Sequence, residues 1–241
     1  MSASQAPVPV LFVGAGVLAV DKPAGMLVIP GRSEEAAPSL RELLEAWLQR
    51  KVYVVHRLDR DTSGVVVFAL TPEVHRALSM AFEAGGVRKH YLALVEGRME
   101  APLVADAALT PARKGRMRVV RPGEEGKPST TRFQPVEVFS SSTLVEAEPL
   151  TGRTHQIRVH LQSLGHPLRV DHQYGRAEPW TARELGGEGG EVVLARTPLH
   201  AARLEWPALP GVEARRLESA LPGDMARAVG LARAAQAPAL R

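Results

Sequence analysis

Two apolar runs, Val17-Leu18-Ala19-Val20 and Val65-Val66-Val67-Phe68-Ala69-Leu70, are short, unbroken and bounded by turn-forming residues, which is the pattern of buried strands. Between them Leu40, Leu43, Leu44, Trp47 and Leu48 recur at helical spacing. Ser39 and Glu42 stand as a capping box, so the spacing predicts an amphipathic helix over residues 40–50. Thr71-Pro72 supplies an N-cap and a proline at the first helical position of a second helix. Val74, Leu78, Ala81 and Phe82 mark its buried face, and Gly85-Gly86 ends it. Tyr91-Leu92-Ala93-Leu94-Val95 then reads as a strand closed by Gly97, with Tyr91 pointing away from Leu92 and Leu94. Residues 103–147 alternate short β-like pieces with turns: Met117–Val120, Thr130–Phe133, Val136–Phe139 and Thr143–Ala147, which predicts hairpins. Ile157, Leu161 and Leu164 mark a further helix with Thr154 near its cap, and a last helix falls around Asp224 to Ala235. Strands dominate and no βαβ alternation appears. The expected class is α+β, a mixed, largely antiparallel sheet with flanking helices and loops.

The expected organisation is a disordered N-terminus over residues 1–10, one main domain over 11–210, and a C-terminal tail over 211–241 that carries the last helix. Residues 176–196, rich in Gly and Glu, read as a surface insertion. The chain has 241 residues, 45% hydrophobic and 23% charged, enough for a substantial core. Cysteine is absent, which removes disulfides, thiolate metal sites and a cysteine nucleophile. Neither a signal peptide nor an apolar span is seen, so the expected location is the cytoplasm and no membrane partner is expected. A monomer is the default.

Net charge is +4, but its distribution matters more than its sum. Arg113, Lys114, Arg116, Arg118 and Arg121 follow one another with no acidic residue between them, a stripe suited to phosphate contacts or, equally, to a solvated loop. Aromatics make up only 5%, which speaks against a single-strand binder built from stacking platforms. The eight histidines show no metal-ligand spacing, and no metal is expected. Gly14-Ala15-Gly16 lacks the third glycine of a dinucleotide loop.

The densest chemistry is His56-Arg57-Leu58-Asp59-Arg60-Asp61-Thr62-Ser63-Gly64, just ahead of the second apolar run. Arg57 and Arg60 beside Asp59 favour an ionised carboxylate, fit to act as nucleophile or general base. The same residues also read as an ion-pair network capping a strand. A hydrolase would need a second carboxylate of different acidity, and only Asp61 is near. Arg158, beside the apolar stripe of its helix, needs a buried partner, and Asp59 is the obvious one.

His56–Gly64 resembles the catalytic motif of the RluA-type pseudouridine synthases. Further segments resemble that family's other motifs in order: Asp21-Lys22-Pro23-Ala24-Gly25-Met26-Leu27-Val28, Lys89–Val95, Thr151–Leu161 and Arg196–Ala201. The resemblance implies an enzyme that isomerises uridine to pseudouridine in structured ribosomal or transfer RNA, with no cofactor. It implies Asp59 as the catalytic aspartate, Tyr91 packing against the target base, Arg158 holding the aspartate ionised, and Arg57 helping to displace the flipped base. Arg60, Arg113, Lys114, Arg116 and Arg118 are the expected RNA contacts beside Arg57. His56, His155 and His200 are expected as hydrogen-bonding scaffold. The family's glycine before the aspartate of its third-motif loop is here Val170, which places the local backbone in question. The start of the chain lies too near the first motif for the extra small RNA-binding domain of many relatives, so recognition is expected from the catalytic domain itself. A non-catalytic RNA-binding factor on the same fold is the rival reading.

Overall fold

A computed structural model describes residues 5–31 and 37–236. In chain order the strands and helices are β1 (Val10–Gly14), β2 (Val17–Lys22), α1 (Leu40–Leu48), β3 (Tyr53–Val54), β4 (Ser63–Ala69), α2 (Pro72–Glu83) and β5 (Arg88–Glu96). There follow β6 (Leu103–Asp106), β7 (Leu109–Pro111), β8 (Met117–Val119), β9 (Thr130–Val138), β10 (Ser142–Pro149) and α3 (Gln156–Ser163). The chain closes with β11 (Trp180–Thr181), β12 (Val192–Leu194), β13 (Leu199–Trp206), β14 (Arg215–Glu218) and α4 (Gly223–Ala234). They form two compact units, Met1–Lys89 with Ala201–Ala220, and His90–His200 with Leu221–Arg241. The sheet is mostly antiparallel, as in the β1–β2, β2–β4, β5–β10, β9–β10 and β6–β9 ladders, and the class is α+β.

In the first unit β2 lies between β1 and β4, with β3 on β4 and β14 on β13. β4 is buried along its whole length. Its alternation sends Val65, Val67 and Ala69 to a core shared with Val17 and Ala19 of β2, Val74, Leu78 and Ala81 of α2, and Trp206. Val66 and Phe68 face the other way and are equally buried. Both helices start as their residues dictate: Ser39 and Glu42 cap α1 reciprocally, and Thr71 accepts the Val74 amide ahead of Pro72. Ala15-Gly16 is the two-residue turn between β1 and β2, both residues at positive φ, and so has no bearing on a cofactor. Gly64, the first residue of β4 to pair with β2, lies at φ +112°, and a Cβ there would stand 2.3 Å from the Ala201 carbonyl oxygen.

The second unit is built on the strand order β5-β10-β9-β6. One face of β5 puts Tyr91, Ala93 and Val95 against Phe133, Val145, Ala147, Ile157 and Leu161, where α3 packs. The opposite face puts Leu92 and Leu94 against Leu144, Trp180, Leu185, Leu194 and the α4 residues Met225, Ala228 and Val229. Residues 176–196 are therefore not a surface insertion. Their Trp180, Ala182, Leu185, Val193 and Leu194, set among glycines and glutamates, help build this second core with α4. Arg196 clamps α4 at its start through a bidentate pair with Asp224 (2.7 and 2.9 Å), and Arg233 pairs with Glu137 near its end. The two pieces expected over 130–139 are one strand, β9, whose register on β10 slips between Glu137 and Pro135 so that Val136 is unpaired. That bulge is how a proline is housed inside the ladder.

Gly64→Ala should lower the unfolding free energy by more than about 2 kcal/mol, because it adds both strain and a backbone clash. Gly230→Ala, at an exposed helical position with nothing within 4 Å, should raise it by about 0.5–1 kcal/mol. Urea titrations of the two variants measure both effects.

Candidate active site

Asp59 opens a tight turn in which its carbonyl accepts the Thr62 amide at 3.2 Å. The turn is tied to the loop that follows β2. The Arg60 carbonyl accepts from the Gly25 amide and from Lys22 Nζ, both at 2.9 Å, while Arg60 Nε donates to the Gly25 carbonyl at 3.1 Å. Lys22 is fully buried, and its ammonium also donates to the carbonyls of Pro23 (2.9 Å) and Met26 (2.8 Å). A buried ammonium costs too much to leave unsatisfied, and here each of its donors meets a carbonyl. The Asp21–Val28 segment thus fixes the height and tilt of the Asp59 turn. Asp59 itself is half-buried, whereas Arg57 and Arg60 are exposed.

His56 stands at the other end of the cluster. Its Nε2 accepts the Val67 amide at 3.0 Å, and its ring stacks on Phe82 with centroids 4.6 Å apart. A ring nitrogen that accepts carries no proton, so His56 is neutral with its proton on Nδ1. Burial, aided by the charge of Lys89, pushes the imidazole down to about 3. Burial lowers the Lys89 ammonium as well.

In the second unit α3 is buried from Gln156 through Leu161, all the way round. A helix in that position must satisfy each polar side chain internally. Gln156 accepts from Thr151 Oγ1 (2.7 Å) and the Arg153 amide (3.0 Å) and donates to the Thr130 carbonyl (2.9 Å). His160 bridges Thr131 Oγ1 (2.8 Å) and the Ala107 carbonyl (3.1 Å), and burial lowers its pKa. Arg158 makes a bidentate pair with Asp171, Nε to Oδ2 at 2.7 Å and Nη2 to Oδ1 at 2.8 Å, and reaches Gln173 Oε1 at 3.2 Å. Burial alone would raise the Asp171 carboxyl, but Arg158 and the amides of Gln173 and Tyr174 hold it below its ordinary value. Tyr91 shares the α3 face of β5 with Ile157 and Leu161. The helix starts at Gln156 behind His155 in the left-handed region, one residue beyond the expected cap.

The basic stripe forms the hairpin β7–β8, with Arg113 and Lys114 at its tip. Arg118 has a partner of its own that the run of basic residues does not reveal. Glu124, just past the stripe, takes its guanidinium at 2.5 and 2.9 Å and also accepts the Arg121 amide. Arg116 donates to the His172 carbonyl at 3.3 Å.

The family model described as RNA pseudouridylate synthase matches residues 16–163. The chain belongs to that family. It is 40% identical over 230 residues to the ribosomal large subunit pseudouridine synthase D of Nitrosomonas europaea, covering 93% of this chain and 65% of that protein. It is 37% identical over 236 residues to synthase C of Salmonella typhimurium, covering 94% and 70%. The chain thus spans about two thirds of the length of these curated relatives. Among solved structures, human RNA pseudouridylate synthase domain containing 4 matches with a TM-score of 0.73 at 26% identity, over 93% of both chains.

Within the pseudouridylate synthase family match lie Asp59 in the first unit and Tyr91 and Arg158 in the second. Asp171 lies beyond it, and is a buried partner of Arg158 where the sequence pointed to Asp59 alone. The segment Val170–Gly175 is conspicuous in the chain, but its role depends on a turn that brings Asp171 back under α3. Val170 itself is buried and is not among the residues at positive φ, so the missing glycine leaves the backbone ordinary. Lys22 is equally visible in its motif, without a sign that it grips the Arg60 carbonyl. Among the described residues no group of His, Asp and Glu is arranged to hold a metal.

His56 provides a pH signature for this family scaffold. Its folded pKa lies below its unfolded value near 6.5, so the unfolded chain binds the extra proton between about 6.5 and about 3. Stability from this group is complete above that window and is lost as pH falls through it, by up to about 1.4 kcal/mol per pH unit. His56→Gln, whose carbonyl oxygen can still accept from Val67, should flatten the acid limb of a stability–pH curve by that slope.

Proposed function

We propose that this chain isomerises uridine to pseudouridine in large-subunit ribosomal RNA, with Asp59 as the catalytic carboxylate. The substrate class follows the names of the relatives, both ribosomal large subunit synthases. The observation that carries the reading is the Asp59 turn, held on a fully buried lysine and a reciprocal Arg60–Gly25 pair. A surface carboxylate with a merely structural role needs no such foundation.

The reaction breaks the bond between ribose C1′ and uracil N1, turns the base, and rejoins it through C5, whose hydrogen leaves as a proton while the freed N1 takes one up. An ionised Asp59 can trap C1′ or the base, or remove a ribose proton to start elimination. No electrons are gained or lost, and the step needs no cofactor. In this reading Tyr91 packs against the target base, and Arg158, held by Asp171, is the third residue proposed to act in catalysis. A uridine in folded RNA must leave its stack, at a cost of a few kcal/mol that phosphate contacts offset. Arg57 fills the place it leaves, while Arg60, Arg113, Lys114 and Arg116 contribute to the grip. Arg118 contributes only if RNA displaces Glu124.

We further infer that the catalytic domain expected over residues 11–210 also takes in β14 and α4 of the segment 211–241, and that the protein acts as a monomer in the cytoplasm. No described helix is long and apolar enough to cross a membrane.

Tritium release from unmodified large-subunit RNA labelled at uracil C5 tests the reading. Wild type should release tritium, and Asp59→Ala should fall below about a thousandth of that rate while its RNA affinity stays within about threefold. Binding without release by the wild type would make the chain an RNA-binding factor instead.

A further inference from the structure

The hairpin β7–β8 and the Arg158–Asp171 pair belong to different segments, yet one side chain touches both. Tyr174 is buried, 4% exposed, on the turn that follows Asp171. Its hydroxyl accepts the Met117 amide at the start of β8 at 2.7 Å and meets His155 Nδ1, the residue that caps α3, at 2.8 Å. Its ring lies under the Arg158 guanidinium, 5.0 Å from centroid to carbon, and its own amide donates to Asp171 Oδ1 at 3.2 Å. Leu109 of β7 and Val159 of α3 pack on it, with Met117 and Val119 around them. The hairpin also meets this turn through Arg116, which donates to the His172 carbonyl.

We propose that Tyr174 is a positioning residue with two separable tasks, its hydroxyl setting the register of the basic hairpin and its ring setting the plane of Arg158. The inference rests on the RNA-isomerase reading for its kinetic consequences, though not for its structural ones. The two tasks depend on different atoms. The hydroxyl is the acceptor that Met117 uses outside the β7–β8 ladder, where Met117 pairs with Pro111. Without it, the tip carrying Arg113 and Lys114 is no longer indexed to α3, and contacts with RNA phosphates lose their preorganisation. The ring is the flat, electron-rich surface on which the Arg158 guanidinium rests while Asp171 takes its Nε edge. Without it, the guanidinium keeps the hydrogen bonds at its edge but loses the surface beneath its plane, and is freer to tilt.

Two substitutions separate these tasks. Tyr174→Phe removes the hydroxyl and keeps the ring; Tyr174→Leu removes both. With C5-tritiated large-subunit RNA, Tyr174→Phe should raise KM about tenfold and leave kcat within about twofold, as the loss of one buried hydrogen-bonding group affects binding alone. Tyr174→Leu should show the same rise in KM with kcat lowered at least about tenfold. Amide hydrogen exchange at Met117, read on the same proteins without RNA, should be fast in Tyr174→Phe and slow in the wild type. A Tyr174→Phe protein with unchanged KM, or with kcat reduced as much as in Tyr174→Leu, would overturn the division of tasks. Unchanged exchange at Met117 would overturn the hydroxyl's role on its own. If the wild type releases no tritium the isomerase reading fails, and the Met117 exchange still decides whether Tyr174 holds the hairpin.

Discussion

The pair between Arg158 and Asp171 is the constraint around which the second unit is arranged. Arg158 sits on a helix buried on every side, 8% exposed, and Asp171 is fully buried. Two charges removed from water at such depth persist only with close geometry and further hydrogen bonds. Asp171 finds them in Arg158 and in the amides of Gln173 and Tyr174, and those amides in turn fix the turn over residues 171–175. From that turn Tyr174 reaches the hairpin and His172 receives Arg116. Gln156 and His160, flanking Arg158 on the same helix, meet the same demand by recruiting Thr130, Thr131 and Ala107. The side chains that give α3 its chemistry therefore also determine which loops surround it.

The first unit solves a related problem with backbone acceptors. Lys22 is a cation with no solvent, and its ammonium is distributed over the carbonyls of Pro23, Met26 and Arg60. Because one of these belongs to the Asp59 turn, a satisfied lysine becomes a strut beneath the carboxylate proposed to be catalytic. His56 uses the reverse logic, remaining neutral so that it can accept from Val67 inside the sheet. Both residues are polar groups placed in a core for what they hold rather than for what they react with.

Much of this was legible in the chain because it is local. The Ser39–Glu42 box, the Thr71-Pro72 start and the alternation of Tyr91 with Leu92 need only near neighbours, and the structure has all three. The features that escaped depend on distant partners. The composition of residues 176–196 hides Trp180 and Val193-Leu194 among glycines and glutamates, and their burial follows only from α4. The break expected between Phe133 and Val136 is a bulge, set by register against β10. Arg118 looks open in the chain because nothing local shows Glu124 folding back on it. The Asp171 partner of Arg158 lies thirteen residues away on a loop whose turn no spacing rule describes.

The most direct test of this account is a double-mutant cycle on unfolding free energy with Asp171→Ala, Arg158→Met and the two combined. Removing either member leaves the other charge buried without its counter-charge, so each single variant should lose about 3–5 kcal/mol. The double variant removes both charges and should lose clearly less than the sum, because the members are coupled. Additive losses, or a harmless Asp171→Ala, would contradict the account, since the turn and the helix would then stand without the pair.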